Sequence, residues 1–428
     1  MIEKLDVILW DMKAGTLISS KNGYNRQVCF YFDPDFIKSS YDIAPLQAPL
    51  TGVVAQKGLP VYPERDKLFG GLPSFIADSL PDQWGNIIFT EWAKANNIRS
   101  RDLSPLDRLA YIGRRGMGAL EFIPPAAEGL ETPFKVEISQ LSELAQIALN
   151  EAKGFHTLLT PDFIVESLFK VGTSAGGRRP KAVINVNTES GECYSGQVTT
   201  PYEGFIPMII KFDEHRDCPT TNIEYSYYLM ACEAGLKMKP CYLLKGNKET
   251  HFLTQRFDRK DNRKIHVQTL AALAPNASTY EELFDVAFRI GISVKEIQHL
   301  FRQMVMNVLG GNVDDHNKNF SFIMDKDGIW HSAPAYDYTF TVDPSAPFYV
   351  NRHSMSINGC TQDITYSDLF KFARKYSIKN VDSIITQACS AVTNYRRYAS
   401  EAGVNELWTS IIEQEILSRL KALDMAIR

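Results

Sequence analysis

Apolar and polar residues alternate through the first 125 positions, in segments such as VILW and VCFYF broken by GLPVYP and FGGLP. Alternation of this kind is the strand pattern. SLPDQWGNIIFTEWAKANN then reads as a helix, and LSPLDRLAYIGRRGMGALEF as a second helix and a strand. The paired prolines of FIPPAAEGLETPFK stop periodic structure and mark a linker. From about 136, EISQLSELAQIALNEAK resumes helical spacing.

The next stretch changes character. VGTSAGGRRPK is a glycine-rich turn, followed by the strand-like AVINV, a turn around Glu189–Glu192 and a strand ending in IPMIIK. NIEYSYYLMACEAGL is a helix, with Thr220 or Thr221 to cap it and Gly235 to end it. CYLLKG and THFLTQRF form a hairpin across a Gly-Asn-Lys turn. Beyond Asp258 the pattern is mostly helical. Ile297, Leu300, Phe301, Met304, Val305 and Val308 recur at i, i+3, i+4, i+7, so one helix face is buried, and Gly310 and Gly311 stop the helix. A short hairpin through FSFIM, DKDG and IWHS follows, and the chain from Tyr366 is largely helical.

Composition narrows the class. A chain of 428 residues with 44% hydrophobic and 22% charged residues is globular and long enough for two to four compact units. Net charge of −4 does not advertise nucleic-acid binding. The amino terminus has acidic residues in its apolar stretch and does not read as a signal peptide. No apolar run approaches the roughly 18–20 residues that span a bilayer. The seven cysteines are scattered, odd in number and never in C-x-x-C spacing, which argues against a disulfide framework and a zinc site. A reduced, cytoplasmic protein with no membrane association is expected.

Candidate chemistry lies in GNVDDHNKNF, between the apolar helix and the hairpin. Asp314 and Asn319 have D-x-x-x-x-N spacing, and Asp337 follows at the end of the hairpin. Phosphoryl transfer from ATP needs such a set. One carboxylate accepts the hydroxyl proton, while an amide oxygen and a second carboxylate hold Mg²⁺ against the phosphates. Asp314 is thus the candidate base, and Asn319 and Asp337 the candidate metal ligands. Asp315 reads as a solvated loop carboxylate and His316 as a structural hydrogen-bonding residue. Upstream, Gly172, Gly176 and Gly177 allow backbone N–H groups to approach a phosphate, and Lys181 adds positive charge. This is not a Walker A loop, since no G-K-[ST] follows. Lys211 ends a strand as the ATP-contacting lysine of protein kinases does, and Glu224 on the next helix is its candidate partner. The order of these elements is the order a bilobal kinase requires.

Over nearly its full length the chain resembles the HipA-like serine/threonine kinases. ADSLPDQWGN and LSPLDRLAYIGRRGMGALEF resemble the family's amino-terminal subdomain, GTSAGGRRPK its phosphate-loop segment, and IEYSYYLMACEAGL its lobe helix. QRFDR resembles the hinge, GNVDDHNKNFS the catalytic loop and PAYD the metal-binding turn. The resemblance implies an α+β, bilobal protein-kinase-like fold. An N-terminal α/β subdomain (1–125) would precede an N-lobe with the glycine-rich loop (126–257) and a mostly helical C-lobe (258–428). It further implies ATP and Mg²⁺ as cofactors, adenine framed by Gln255 and Phe257, and autophosphorylation at Ser174 beside Arg178 and Arg179. A phosphate there would add roughly −1.5 to −2 charge to a loop that must receive ATP. Arg256, Asp258 and Arg259 are expected to form a structural ion-pair set. Implied partners are a protein substrate, such as an aminoacyl-tRNA synthetase of the translation machinery, and a HipB-like helix-turn-helix antitoxin, with DNA reached only through it. The GRRPK ending departs from the Gln-Glu-Lys of the toxin type, which leaves a growth-arresting role open.

Three other readings compete. GTSAG matches the G-x-S-x-G elbow of serine hydrolases, but that motif needs a helix directly after Ser174, and Gly-Gly-Arg-Arg-Pro is poor helix material. A non-catalytic co-repressor with a kinase fold would not need Asp314, Asn319, Asp337 and Lys211. A small-molecule or lipid kinase would keep all of them, since fold does not fix substrate.

Overall fold

The computed structural model describes residues 2–22, 25–64, 69–95, 98–99, 103–124, 134–152, 177–196, 203–214, 217–246, 249–347 and 349–423. Strands β1 (Lys4–Leu9), β2 (Met12–Asn22) and β3 (Asn25–Phe32) come first. Helices α1 (Gln83–Ala95) and α2 (Pro105–Ile112), strand β4 (Leu120–Ile123) and helix α3 (Ile138–Ala152) follow. Next are β5 (Lys181–Asn187), β6 (Cys193–Ser195), β7 (Phe205–Lys211), α4 (Thr220–Glu233), β8 (Cys241–Lys245) and β9 (Thr250–Gln255). Short strands β10 (Arg259–Lys260), β11 (Arg263–Lys264) and β12 (His266–Thr269) precede helices α5 (Tyr280–Arg289) and α6 (Val294–Gly310). The hairpin strands β13 (Ser321–Met324) and β14 (Trp330–Ser332) lead to α7 (Tyr366–Lys375), α8 (Val381–Thr393), α9 (Tyr395–Ala402) and α10 (Glu406–Ala422). The three-residue strand β6 was not expected from the sequence.

The chain gathers into two units. One holds Met1–Glu214, Leu253–Gln268 and Ile323–Gly328; the other holds His215–Phe252, Thr269–Phe322 and Ile329–Arg428. In the first, an antiparallel sheet of order β3–β2–β1–β4 buries Leu5, Val7 and Leu9 on one face, as the pleat requires of alternating residues. Trp10 and Asp11 close the β1–β2 hairpin with φ of 50° and 67°, the paired positive angles of a type I′ turn. The Trp10 indole donates to Lys264 O at 2.9 Å and stands edge-on to Tyr41. Helix α2 begins with a capping box, Ser104 and Asp107, and proline at its first turn.

A second core of this unit lies against the antiparallel strands β6, β5 and β7. Trp84, Ile88 and Phe89 of α1 and Leu141 and Ala145 of α3 pack with Ala182, Ile184, Met208 and Ile210. Just past β9, the expected ion-pair set is present and sealed. Asp258 accepts from Arg256 Nε (2.8 Å) and Nη2 (2.7 Å), from Arg259 Nη1 (2.6 Å) and from Gly118 N (2.8 Å). Burial opposes ionisation of Asp258, but the Arg256 and Arg259 guanidiniums outweigh it and hold the carboxyl well below its usual range. Burial, then the neighbouring Arg256, lowers Arg259 to about 10.

In the second unit α6 is the central helix. All six residues of its expected apolar stripe are buried. Gly310 is its last helical residue, and Gly311 alone takes the left-handed cap, φ 66°, donating back to Asn307 O. Capping boxes open α5 (Thr279, Glu282), α6 (Ser293, Glu296) and α7 (Thr365, Asp368). At α4 the expected cap is corrected. The cap position is Pro219, Thr220 lies inside the helix, and the Thr221 hydroxyl is drawn off to Thr250 O at 2.6 Å. Among the described residues, no helix is long and apolar enough to cross a membrane.

Candidate active site

The glycine cap after α6 delivers the chain into a loop pinned by Thr341. Val313 N and Asp314 N both donate to Thr341 Oγ1, at 2.7 and 3.1 Å, and Thr341 N returns a bond to Gly311 O. His316 caps the 3-10 turn Asn317–Asn319 through Nδ1, which accepts from Lys318 N at 3.2 Å. That turn places Asn319 so that its Nδ2 donates to Asp314 O at 2.7 Å. The amide nitrogen is thereby committed, which leaves Oδ1 as the atom to present to a cation. The Asp314 side chain is 65% exposed, with the His316 Nε2 4.0 Å from its carboxylate.

Asp337 follows β14 with φ 51°, a left-handed conformation uncommon for a residue other than glycine and one that Asp tolerates. Its neighbours fix the segment. Tyr336 OH donates to Lys318 O at 2.8 Å and lies 2.5 Å from Ser321 Oγ, while Tyr338 OH donates to Met306 O at 2.6 Å. Burial raises the Tyr338 phenol far above its ordinary value, so it remains a donor. The structure thus clips the stretch 336–341 onto the loop 313–321. Asn and Asp oxygens suit Mg²⁺, which takes one or two carboxylates and keeps its other positions for phosphate and water.

Asp315 corrects the sequence reading. It is 0% exposed and accepts from Tyr280 OH (2.6 Å), His353 Nδ1 (2.8 Å) and Ser354 N (2.8 Å). Asn307 Nδ2 donates in turn to Tyr280 OH at 3.0 Å, and Asn312 Nδ2 to Asn307 Oδ1 at 2.9 Å. Burial, then the Asp315 carboxylate, raises the Tyr280 phenol well above its ordinary value and keeps it a donor. Sequence spacing missed Tyr280, Asn307, Thr341 and His353. The nearest signal was the adjacency of two aspartates, one of which had to point inward.

The remaining candidates divide between the units. In the first, Lys181 and Lys211 are register partners across β5 and β7, 4% and 9% exposed. Gly177 carries φ 103°, and a Cβ there would sit 2.6 Å from Lys181 Nζ. Its N–H donates to Asp82 Oδ2 at 3.0 Å. Arg178 is exposed, and Arg179 Nε lies 3.9 Å from Glu214. Gln255 and Phe257 are half-buried on either side of buried Arg256, whose N–H bonds Pro207 O of β7. Glu224, in the second unit, is buried on α4. Gly172, Ser174 and Gly176 lie outside the described residues.

Comparison with known proteins identifies the family. Residues 5–123 match the model for the HipA N-terminal domain, and residues 173–395 the model for the HipA-like C-terminal domain. A solved structure of the Shewanella oneidensis MR-1 toxin–antitoxin system HipA, HipB and operator DNA complex superposes with a TM-score of 0.64 at 16% identity. That match covers 98% of this chain and 97% of the other. A relative in Sinorhizobium fredii, named "Putative kinase Y4mE", is 24% identical over 280 residues, which is 60% of this chain. The chain spans 64% of that relative's length. The fold is therefore α+β and kinase-like. The chain belongs to the HipA-like kinase family.

Proposed function

We propose that the chain is an ATP- and Mg²⁺-dependent serine/threonine protein kinase. The observation that supports the reading is the bond from Asn319 Nδ2 to Asp314 O, which ties the two residues together while the Asp314 carboxylate stays exposed. In the transfer, Asp314 takes the proton of the acceptor hydroxyl as its oxygen bonds to the γ-phosphorus. The bond to the β,γ-bridging oxygen breaks, and ADP leaves. Asn319 and Asp337 would hold Mg²⁺, which supplies charge neutralisation on the phosphate oxygens when bound. Lys181 and Lys211 add two positive charges for the phosphate chain, and Gln255 and Phe257 frame the adenine. Glu224 is the proposed partner of Lys211. Much of the barrier reduction comes from positioning and from charges fixed in advance of the reaction.

Autophosphorylation at Ser174, two residues before Gly176 in the sequence, would switch the enzyme off by placing negative charge where ATP must enter. A protein of the translation machinery is the proposed acceptor. A helix-turn-helix antitoxin is the proposed partner, as HipB is found with HipA in the Shewanella complex. The working compartment is the cytoplasm. Incubation with γ-labelled ATP, followed by phosphosite mapping, tests the reading. Label should appear on a serine or threonine of the wild type. Asp314→Asn should lower the rate by about 10²–10⁴, and Asp337→Asn should abolish transfer with the fold intact. Full activity in either variant overturns the assignment.

A further inference from the structure

Buried carboxylates are costly, and a site that needs only packing is usually served as well or better by an apolar side chain. Asp315 is such a carboxylate, directly after the candidate base, and its three donors come from two places distant from it in the chain. Tyr280 opens α5, His353 and Ser354 lie beyond the Asp337 segment, and His353 Nε2 is 3.3 Å from Arg419 Nη1 of α10. Ser354 also donates to Val313 O, through N at 3.0 Å and Oγ at 3.1 Å. The segment continues to Ser356, whose O accepts from Tyr280 N and whose N donates to Ser278 O. One side chain therefore joins the catalytic loop to α5 and to the 353–356 stretch.

Asp314 and Asp315 are chain neighbours of opposite exposure, one side chain 65% exposed and the other fully buried. Whatever holds Asp315 inward also fixes the outward aim of Asp314. Resting on the phosphotransfer reading above, we propose that Asp315 is a positioning residue that aims the base and sets the 353–356 segment against the catalytic loop. It touches neither nucleotide nor acceptor.

The test uses the full chain and measures label incorporation from γ-labelled ATP, the ATP concentration for half-maximal rate, nucleotide binding by calorimetry and Tm. Asp315→Asn should lower the saturated rate about 10–100-fold, a small fraction of the loss expected from removing an acid–base group outright. The half-maximal ATP concentration and the Kd should stay within about twofold, because uniform binding is untouched. Tyr280→Phe, which removes one donor and keeps the ring, should lower the rate about 3–10-fold with the same split, and it serves if Asp315→Asn does not fold. Asp315→Asn added to Asp314→Asn should cost little more, since Asp315 acts through Asp314. Three outcomes overturn the role: a full rate in Asp315→Asn and Tyr280→Phe, parallel losses of rate and nucleotide affinity, or multiplicative losses in the double variant. If wild type and Asp314→Asn differ as expected while Asp315→Asn is fully active, only the positioning role falls. A wild type that transfers no phosphate sinks the kinase reading and this role together.

Discussion

Replacing Asp258 by Asn tests whether the ion-pair set after β9 is as closed as it looks. The carboxylate is 1% exposed, and the Arg256 and Arg259 side chains are 0% and 4% exposed. Arg256 Nη1 also donates to Gly196 O at 3.0 Å, while Arg259 Nη1 and Nη2 donate to Gly118 O and Gly116 O at 3.1 Å. Neither guanidinium can therefore swing out to water without breaking backbone bonds. Asn keeps the shape of the site but removes the charge and turns an N–H₂ toward a donor. Two buried guanidiniums then lose the carboxylate that both of them bond, a change that costs about 3–5 kcal/mol. Urea unfolding measures it as a lower midpoint at unchanged slope. Adding Arg259→Met to Asp258→Asn should recover part of the loss, because it removes one stranded charge, although Arg259→Met alone destabilises. A loss below about 1 kcal/mol, or no recovery in the double variant, would refute the closed-site argument.

Two further outcomes are expected. His299 of α6 is lowered to about 4, by burial and then by Lys237 and Arg302, so the folded state binds its proton less readily than the unfolded chain. Its contribution is complete above about pH 6.5 and is lost as the pH falls toward 4; by pH 5 the loss is roughly 2 kcal/mol. His299→Gln should flatten the fall of Tm between pH 7 and 5, and an unchanged slope would count against it. Gly311→Ala forces a side chain into φ 66°, at about 1–2 kcal/mol. Its Cβ would lie 3.3 Å from Phe340 and 3.4 Å from Arg419. Tm should drop and the labelling rate with it, and a variant indistinguishable from wild type in both would contradict the role of the cap.

What could be read from the sequence follows the range of the interactions. Helix α6, its glycine stop and the β13–β14 hairpin are set by neighbours within a few residues, and periodicity and turn chemistry found them. The Asp314–Asn319 pairing is equally local, because the two are five positions apart and the 3-10 turn Asn317–Asn319 lies between them and closes on the second. Arg256, Asp258 and Arg259 were legible as a group for the same reason, whereas their anchors on Gly116, Gly118 and Gly196 were not. Asp315 was misread because Tyr280, His353 and Ser354 lie 35 or more positions away. The cap of α4 failed for a related reason, since Thr250 competes for the Thr221 hydroxyl. Strand β6 is too short to show a period.

The path of the backbone has a practical side. The chain changes unit at 214/215, 252/253, 268/269, 322/323 and 328/329. No single cut therefore releases either unit as a continuous polypeptide. The short return 323–328, the turn of the hairpin after the loop 313–321, belongs with the first unit, where Lys326 Nζ sits 4.2 Å over the Trp10 ring. During synthesis the first unit lacks its last piece until residue 328 has emerged, by which point the second unit's stretches 215–252 and 269–322 have already been made.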